Sequence, residues 1–320
     1  PIDKVIGKIY PIFSFSLLFM AVALIVILLI KMPVLPELWD GLGNMAKEQD
    51  PSFTDNIFPC LFITIACGAI SGFHATQSPL MARCLKSEKM GRPIFYGSMI
   101  TEGLVALVWA TVAMWFFYDS PTPGYEQLAA AKGFHTSAPM VVTTVCQDWL
   151  GMLGGVLAIL GVVAAPITSG DTAFRSARLI VASALKLNQK PKMNRLYVCL
   201  PIFVVSIALL AWQSSNPDGF NVIWQYFGWS NQTLSVFTLW AITVYLVRKN
   251  KPYVITLLPA LFMTGVCSTY LFISKQAFGL QEDLAYYLGI LTVIIAMVWF
   301  VVWIRKYGEK AREIGETSTD

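Results

Sequence analysis

Charge is scarce in this sequence. Asp, Glu, Lys and Arg make up 13% of its 320 residues, where soluble domains carry roughly 25%. Hydrophobic residues take 56%, and the mean hydropathy is +0.61. That balance excludes an ordinary soluble domain and points to a chain that crosses the lipid bilayer several times. Catalytic signatures are missing as well. There is no HExxH, GxSxG, P-loop or strand-borne GxGxxG, so zinc proteases, serine hydrolases, NTPases and dinucleotide enzymes are excluded and no cofactor is expected. The six cysteines, Cys60, Cys67, Cys84, Cys146, Cys199 and Cys267, never fall in CxxC spacing. They read as small packing residues, not as a disulfide framework or metal site. There is no signal-peptide pattern, and the chain opens at Pro1 without an initiator Met. The expectation is a piece of a longer protein, with upstream helices as its partners.

What is present is long apolar runs. A membrane span needs about 20 mostly apolar residues at 1.5 Å of rise each. Eight candidates follow, at about Pro11–Ile30, Ile57–Gln77, Pro93–Tyr118, Gly151–Gly170, Leu196–Trp212, Val222–Val247, Tyr253–Ser274 and Leu284–Ile304. Residues 1–304 form the expected transmembrane domain, and residues 305–320 a cytoplasmic tail. Nineteen of the 23 basic residues fall on one side of these spans, and only Lys31, Lys47, Lys132 and Lys275 fall on the other. Basic loops stay in the cytoplasm, so both ends are expected there. The same placement accounts for the net charge of +4 with no nucleic-acid partner. The loop of residues 31–56 is acidic, and that of residues 119–150 is long for a connection. The apolar half of the latter, Pro139 to Leu150, is expected to lie on the membrane or fold back over the protein. Thr172 to Leu187 reads as a separate amphipathic helix at the inner interface.

Four stretches do not belong in lipid. Phe58 to Pro79 begins as an apolar helix and then breaks into Gly72-Phe73-His74-Ala75-Thr76-Gln77-Ser78. Loose backbone survives in a membrane only where protein covers it or a cavity receives it. Gly72, His74, Thr76, Gln77 and Ser78 are therefore candidate substrate residues. His74 also carries the side chain that changes charge near neutral pH. Glu102 lies deep in the third span, must face the bundle interior, and is a candidate for proton coupling with His74 as a partner. Pro166, Thr168, Ser169 and Asp171 offer a freed carbonyl and hard oxygens for Na⁺ or a proton, although Asp171 and Arg175 also stand four apart and can simply pair. Asn231 and Gln232, adjacent amides at depth, are further candidate substrate residues: they line or gate a cavity, or else brace the bundle. Two other classes stay open: an intramembrane hydrolase built from His74, Glu102 and Asp171, and a channel or scaffold.

The segment from Pro59 to Gly103 is similar to the carbon starvation protein CstA family. So are APITSGDTAFRSARL (Ala165–Leu179), FGWSNQTLSVFTLW (Phe227–Trp240) and the opening PIDKVIGKIYP. The resemblance implies a bacterial inner-membrane transporter tied to starvation, taking up peptides or, in relatives, pyruvate with protons. It also implies kinship with the amino acid–polyamine–cation transporter group, built on two inverted five-helix repeats. On that analogy the chain is an all-α membrane protein resembling the second half of a LeuT-like fold. The broken second span opens the second repeat, Thr168 and Ser169 fall at a monovalent-cation site, and the last two spans are additions. One repeat alone is expected not to transport.

Overall fold

Runs of Leu, Ile, Val, Phe and Ala without breakers satisfy their backbone groups only as helices when water is absent, and the described residues form helices joined by short turns. It is a computed structural model that describes residues 2–33, 35, 56–118, 138–216 and 219–317. The acidic loop and the polar half of the long loop lie outside these residues. The helices are α1 (Ile2–Lys31), α2 (Phe62–Ala69), α3 (Gly72–Thr76), α4 (Ser78–Ala82), α5 (Gly97–Tyr118), α6 (Ala138–Ala184), α7 (Lys192–Ser215), α8 (Gly219–Arg248), α9 (Val254–Ile273) and α10 (Glu282–Thr317). Among the described residues, five helical stretches are long and apolar enough to cross a membrane: Pro11–Lys31, Glu88–Trp115, Lys192–Ser215, Val254–Ile273 and Glu282–Gly308. Shorter apolar stretches, Ile57–Ala66 and Val141–Leu157, join them. α10 runs on to Thr317 without a break, so the described part of the tail continues a helix.

The chain divides into two units, residues 1–53 with 96–203 and residues 54–95 with 204–320. In the first, α1 packs against α6 and α5. Met20 and Leu24 of α1, Val112 of α5, and Val141, Val145 and Cys146 of α6 form its core. Ser16 Oγ donates to the Leu157 carbonyl at 2.8 Å. The apolar segment before Leu150 therefore folds back onto its own unit. It is set off from the rest of α6 by Gly151, whose φ of 65° and ψ of −161° leave helical space, a conformation that suits glycine. Beyond Gly151 the helix continues to Ala184, through Pro166 and through the stretch expected to form a separate amphipathic helix. Nothing between Thr172 and Ala184 is Gly or Pro, so no residue there stops a helix already under way. At the end of α1, Lys31 Nζ sits 4.9 Å from the centroid of the Trp115 ring and 5.7 Å from that of Trp149.

In the second unit α8, α9 and α10 pack together, and α2 and α3 lie on α8. Ile63, Leu239, Ala260, Met263, Val266 and Cys267 form one core cluster, and Val247, Leu257 and Phe300 another. Trp229 Nε1 donates to the Cys267 carbonyl at 3.1 Å, and Trp240 Nε1 to Thr264 Oγ1 at 3.1 Å. α9 and α10 meet backbone to side chain at Gly289, where a Cβ would fall onto Thr269 Oγ1 and 3.1 Å from Thr269 Cβ. Thr269 is 2% exposed, so making space there means shifting a buried side chain. Gly289→Val is expected to cost about 1–3 kcal/mol by overpacking. Thermal unfolding in detergent would show it as a lowered midpoint, and an unchanged midpoint would mean that the two helices re-space freely.

Candidate functional site

The broken helix lies wholly in the second unit. A turn of π-helix, Ile57–Leu61, leads into α2, which ends where Ile70 turns extended at φ −145° and ψ 121°. Ser71 follows, and α3 begins at Gly72. The break thus falls at Ile70–Ser71; Gly72, His74 and Thr76 occupy α3, Gln77 joins it to α4, and Ser78 opens α4. A helix interrupted in an apolar run leaves backbone donors without partners. Here Asn231 of α8 supplies the acceptor. Its Oδ1 takes the Gly72 N–H at 2.8 Å and the Ser71 hydroxyl at 3.1 Å. The approach is close enough to require glycine: a Cβ on Gly72 would come within 2.7 Å of Asn231 Oδ1 and 3.2 Å of the Asn231 carbonyl oxygen.

Gln232 braces the other side of the break. It is fully buried and donates from Nε2 to the Ile63 carbonyl of α2 at 3.2 Å; the Ser235 hydroxyl donates to the Gln232 carbonyl at 2.6 Å and lies 3.3 Å from Oε1. The adjacent amides on α8 therefore reach both halves of the interrupted helix. His74 bonds within its own turn. The Ser71 N–H donates to His74 Nδ1 at 2.9 Å, and the His74 N–H donates to the Ser71 carbonyl at 3.0 Å. The first of these is one arm of a capping box, in which the third helical residue reaches back to the N-cap amide. Thr76 Oγ1 donates to the Gly72 carbonyl at 3.3 Å. Thr76, Gln77 and Ser78 are all half-buried. Ser71 escapes a reading by composition, because one serine in an apolar run is unremarkable. The Ser-x-x-His spacing is the signal that marks it.

The candidate ion-coupling residues lie in the first unit. Glu102 is exposed on α5 at the middle of the Glu88–Trp115 stretch. It borders a cavity of about 560 Å³ shared with Ser14, Leu17 and Leu18 of α1 and Thr101, Val105 and Ala106 of α5. The Thr101 hydroxyl donates to the Gly97 carbonyl at 3.0 Å. His74, its expected partner, belongs to the other unit. Ser169 is exposed on α6, and Asp171 pairs with Arg175 at 3.0 Å, one helical turn on. Both members of that pair are partly exposed, and such pairs contribute about 0.3–0.5 kcal/mol. The side chain of Thr168 lies outside the described residues.

The family profile described as "Carbon starvation protein CstA" matches residues 10–149 and 125–270. An "Uncharacterized membrane protein" of Haemophilus influenzae is 43% identical over 142 residues, covering 41% of this chain and 38% of the relative. The "Peptide transporter CstA" of Escherichia coli is 26% identical over 292 residues, 73% of this chain and 41% of the relative. That of Mycobacterium tuberculosis is 29% identical over 270 residues, 66% of this chain and 35% of the relative. The chain thus spans between 35% and 41% of the length of these relatives. No solved structure matches it. The profile covers most of the chain, and with its multiple membrane helices the chain belongs to the carbon starvation protein CstA family, a family of transporters and not of enzymes.

Proposed function

We propose that this chain serves an ion-coupled secondary transporter of the bacterial inner membrane that takes up peptides during carbon starvation. The observation that carries the reading is the helix broken at Ile70–Ser71, inside a family several of whose curated relatives are named peptide transporters. Interrupted helices in membrane proteins serve binding sites, because irregular backbone at depth needs a cavity or a protein wall. His74, Thr76, Gln77 and Ser78 face the substrate in this reading, while Gly72, Asn231 and Gln232 keep the break in shape. Glu102, Thr168 and Ser169 serve the coupling ion, a proton before Na⁺, and Asp171 is held by Arg175. Both ends of the chain lie in the cytoplasm, as the skew of basic residues favours. The arrangement corresponds to the second half of an inverted-repeat transporter, with eight spans in all.

Uptake of labelled peptide and of labelled pyruvate by cells with and without the gene, with the proton gradient intact or collapsed, tests the reading. Peptide uptake is expected to need the gradient. His74→Ala and Gln77→Ala are each expected to lower it by about tenfold, the worth of one lost hydrogen bond of about 1.4 kcal/mol, at unchanged protein level in the membrane. Normal uptake in both variants would remove the break from the substrate path, and uptake of pyruvate alone would replace the peptide by a 2-oxo acid.

A further inference from the structure

His74 and Ser71 meet in a way that depends on where one proton sits. His74 Nδ1 lies 2.9 Å from the Ser71 nitrogen, whose N–H points at it, and 3.1 Å from the Ser71 carbonyl oxygen. A ring nitrogen that accepts an N–H needs its lone pair, so the neutral ring carries its proton on Nε2. In that state the 3.1 Å approach to the carbonyl is not a hydrogen bond. A proton added at Nδ1 reverses both contacts. The new N–H opposes the Ser71 N–H and turns to the Ser71 carbonyl instead. Ser71 is only 6% exposed, so the contact it loses lies inside the protein. It is also the hinge residue itself, between extended Ile70 and the first residue of α3.

We propose that the Ser71–His74 contact is a proton-operated clasp on the broken helix: the neutral imidazole holds the break in its observed shape, and protonation at Nδ1 releases it. The clasp is present at high pH and lost as pH falls, because only the unprotonated nitrogen accepts. Asn231 keeps its hold on Gly72 and on the Ser71 hydroxyl, so release loosens the hinge without unthreading α3. Among the described residues, α8 and α4 are the elements packed most closely on α3. Between Tyr226 and Tyr245, α8 carries no titratable side chain, and α4 carries none. Arg83 and Cys84 follow α4 and are exposed, and the side chain of Cys67, in α2, lies outside the described residues. Among these groups histidine is the one that changes charge between about pH 5 and 8. A proton taken up at the break and a change in the shape of the break are thus one event. That link rests on the transport reading for its purpose but not for its existence.

The sequence holds two histidines, His74 and His135, so His135→Gln leaves a single ring to observe. In the chain carrying ¹⁵N-labelled histidine in lipid nanodiscs, nitrogen NMR at about pH 8 is expected to find Nδ1 bare and Nε2 protonated. His74→Gln supplies the usual capping-box acceptor without a titrating group. Hydrogen exchange over residues 70–76 is expected to match between parent and His74→Gln at about pH 8, and at about pH 5 to run roughly tenfold faster in the parent. His74→Ala, which has no acceptor, should exchange fast at both. A proton on Nδ1 at high pH, or parent and Gln variant agreeing at low pH, would overturn the clasp. Neither measurement involves substrate, so failed peptide uptake leaves the clasp standing, and a failed clasp leaves the transport reading intact.

Discussion

Replacing Asn231 by Leu is expected to destabilise the broken helix more than any other change to a polar side chain around it. Leucine keeps the bulk and removes the acceptor. The Gly72 N–H, which now donates to Asn231 Oδ1 at 2.8 Å, would be left in a buried site, and the Ser71 hydroxyl would lose the same oxygen at 3.1 Å. A buried donor stripped of its acceptor costs about 1–3 kcal/mol, and the two together about 2–4 kcal/mol when the hydroxyl recovers part of its loss by rotating. Asn231→Asp keeps an acceptor at the same place but buries a charge, so it should fall between Leu and the parent. Thermal unfolding of the purified chain in one detergent, with membrane-inserted yield as a second reading, would rank the three. A Leu variant as stable as the parent would mean that Val236, Ile63 and their neighbours hold the break by packing alone.

That expectation rests on a contact spanning 159 residues, and the distance explains what the sequence could and could not disclose. The interruption itself was legible. Glycine, serine and a histidine inside an apolar run are local facts, and the membrane's demand for satisfied backbone turns them into a broken helix. Its position shifted by two residues, from Gly72 to the Ile70–Ser71 junction, because the chain turns where Ile70 goes extended and not at the glycine. The glycine is there for the close approach of Asn231. Which polar groups answer each other was not legible, since Asn231 and Gln232 read equally well as cavity lining or as braces until α8 was placed beside α2 and α3. The inner stretch from Thr172 is helical as expected, but it continues the helix before it. Its amphipathic pattern says where a helix would lie if it were separate, but no residue there separates it from the helix before it. The fold-back of the segment before Leu150 was one of two open readings. The choice was made by Val141, Val145 and Cys146 meeting Met20 and Leu24, contacts that no local pattern contains.

Replacing Glu102 by Gln is expected to abolish accumulation of substrate against a gradient while leaving substrate binding in place. The argument begins with depth. Glu102 stands at the middle of an apolar stretch, Glu88–Trp115, where a carboxylate costs about 2.5–3.5 kcal/mol on insertion scales. Such a group persists only with a proton, a cation or a hydrogen-bonding partner beside it. Its own unit offers little. Thr101 spends its hydroxyl hydrogen on the Gly97 carbonyl, the rest of the shared cavity apart from Ser14 is Leu17, Leu18, Val105 and Ala106, and no ion pair of Glu102 is seen among the described residues. In the proposed reading the coupling proton is that partner. Glutamine preserves shape and hydrogen bonding and removes the proton site, so bound substrate would equilibrate without being driven. Glu102→Asp should retain part of the drive. The measurement is uptake in cells at fixed external substrate, with the proton gradient imposed and then collapsed, alongside thermal unfolding of each variant. A purely structural Glu102 predicts the opposite pairing: Gln lowers the unfolding midpoint, and uptake by whatever protein survives is still driven by the gradient.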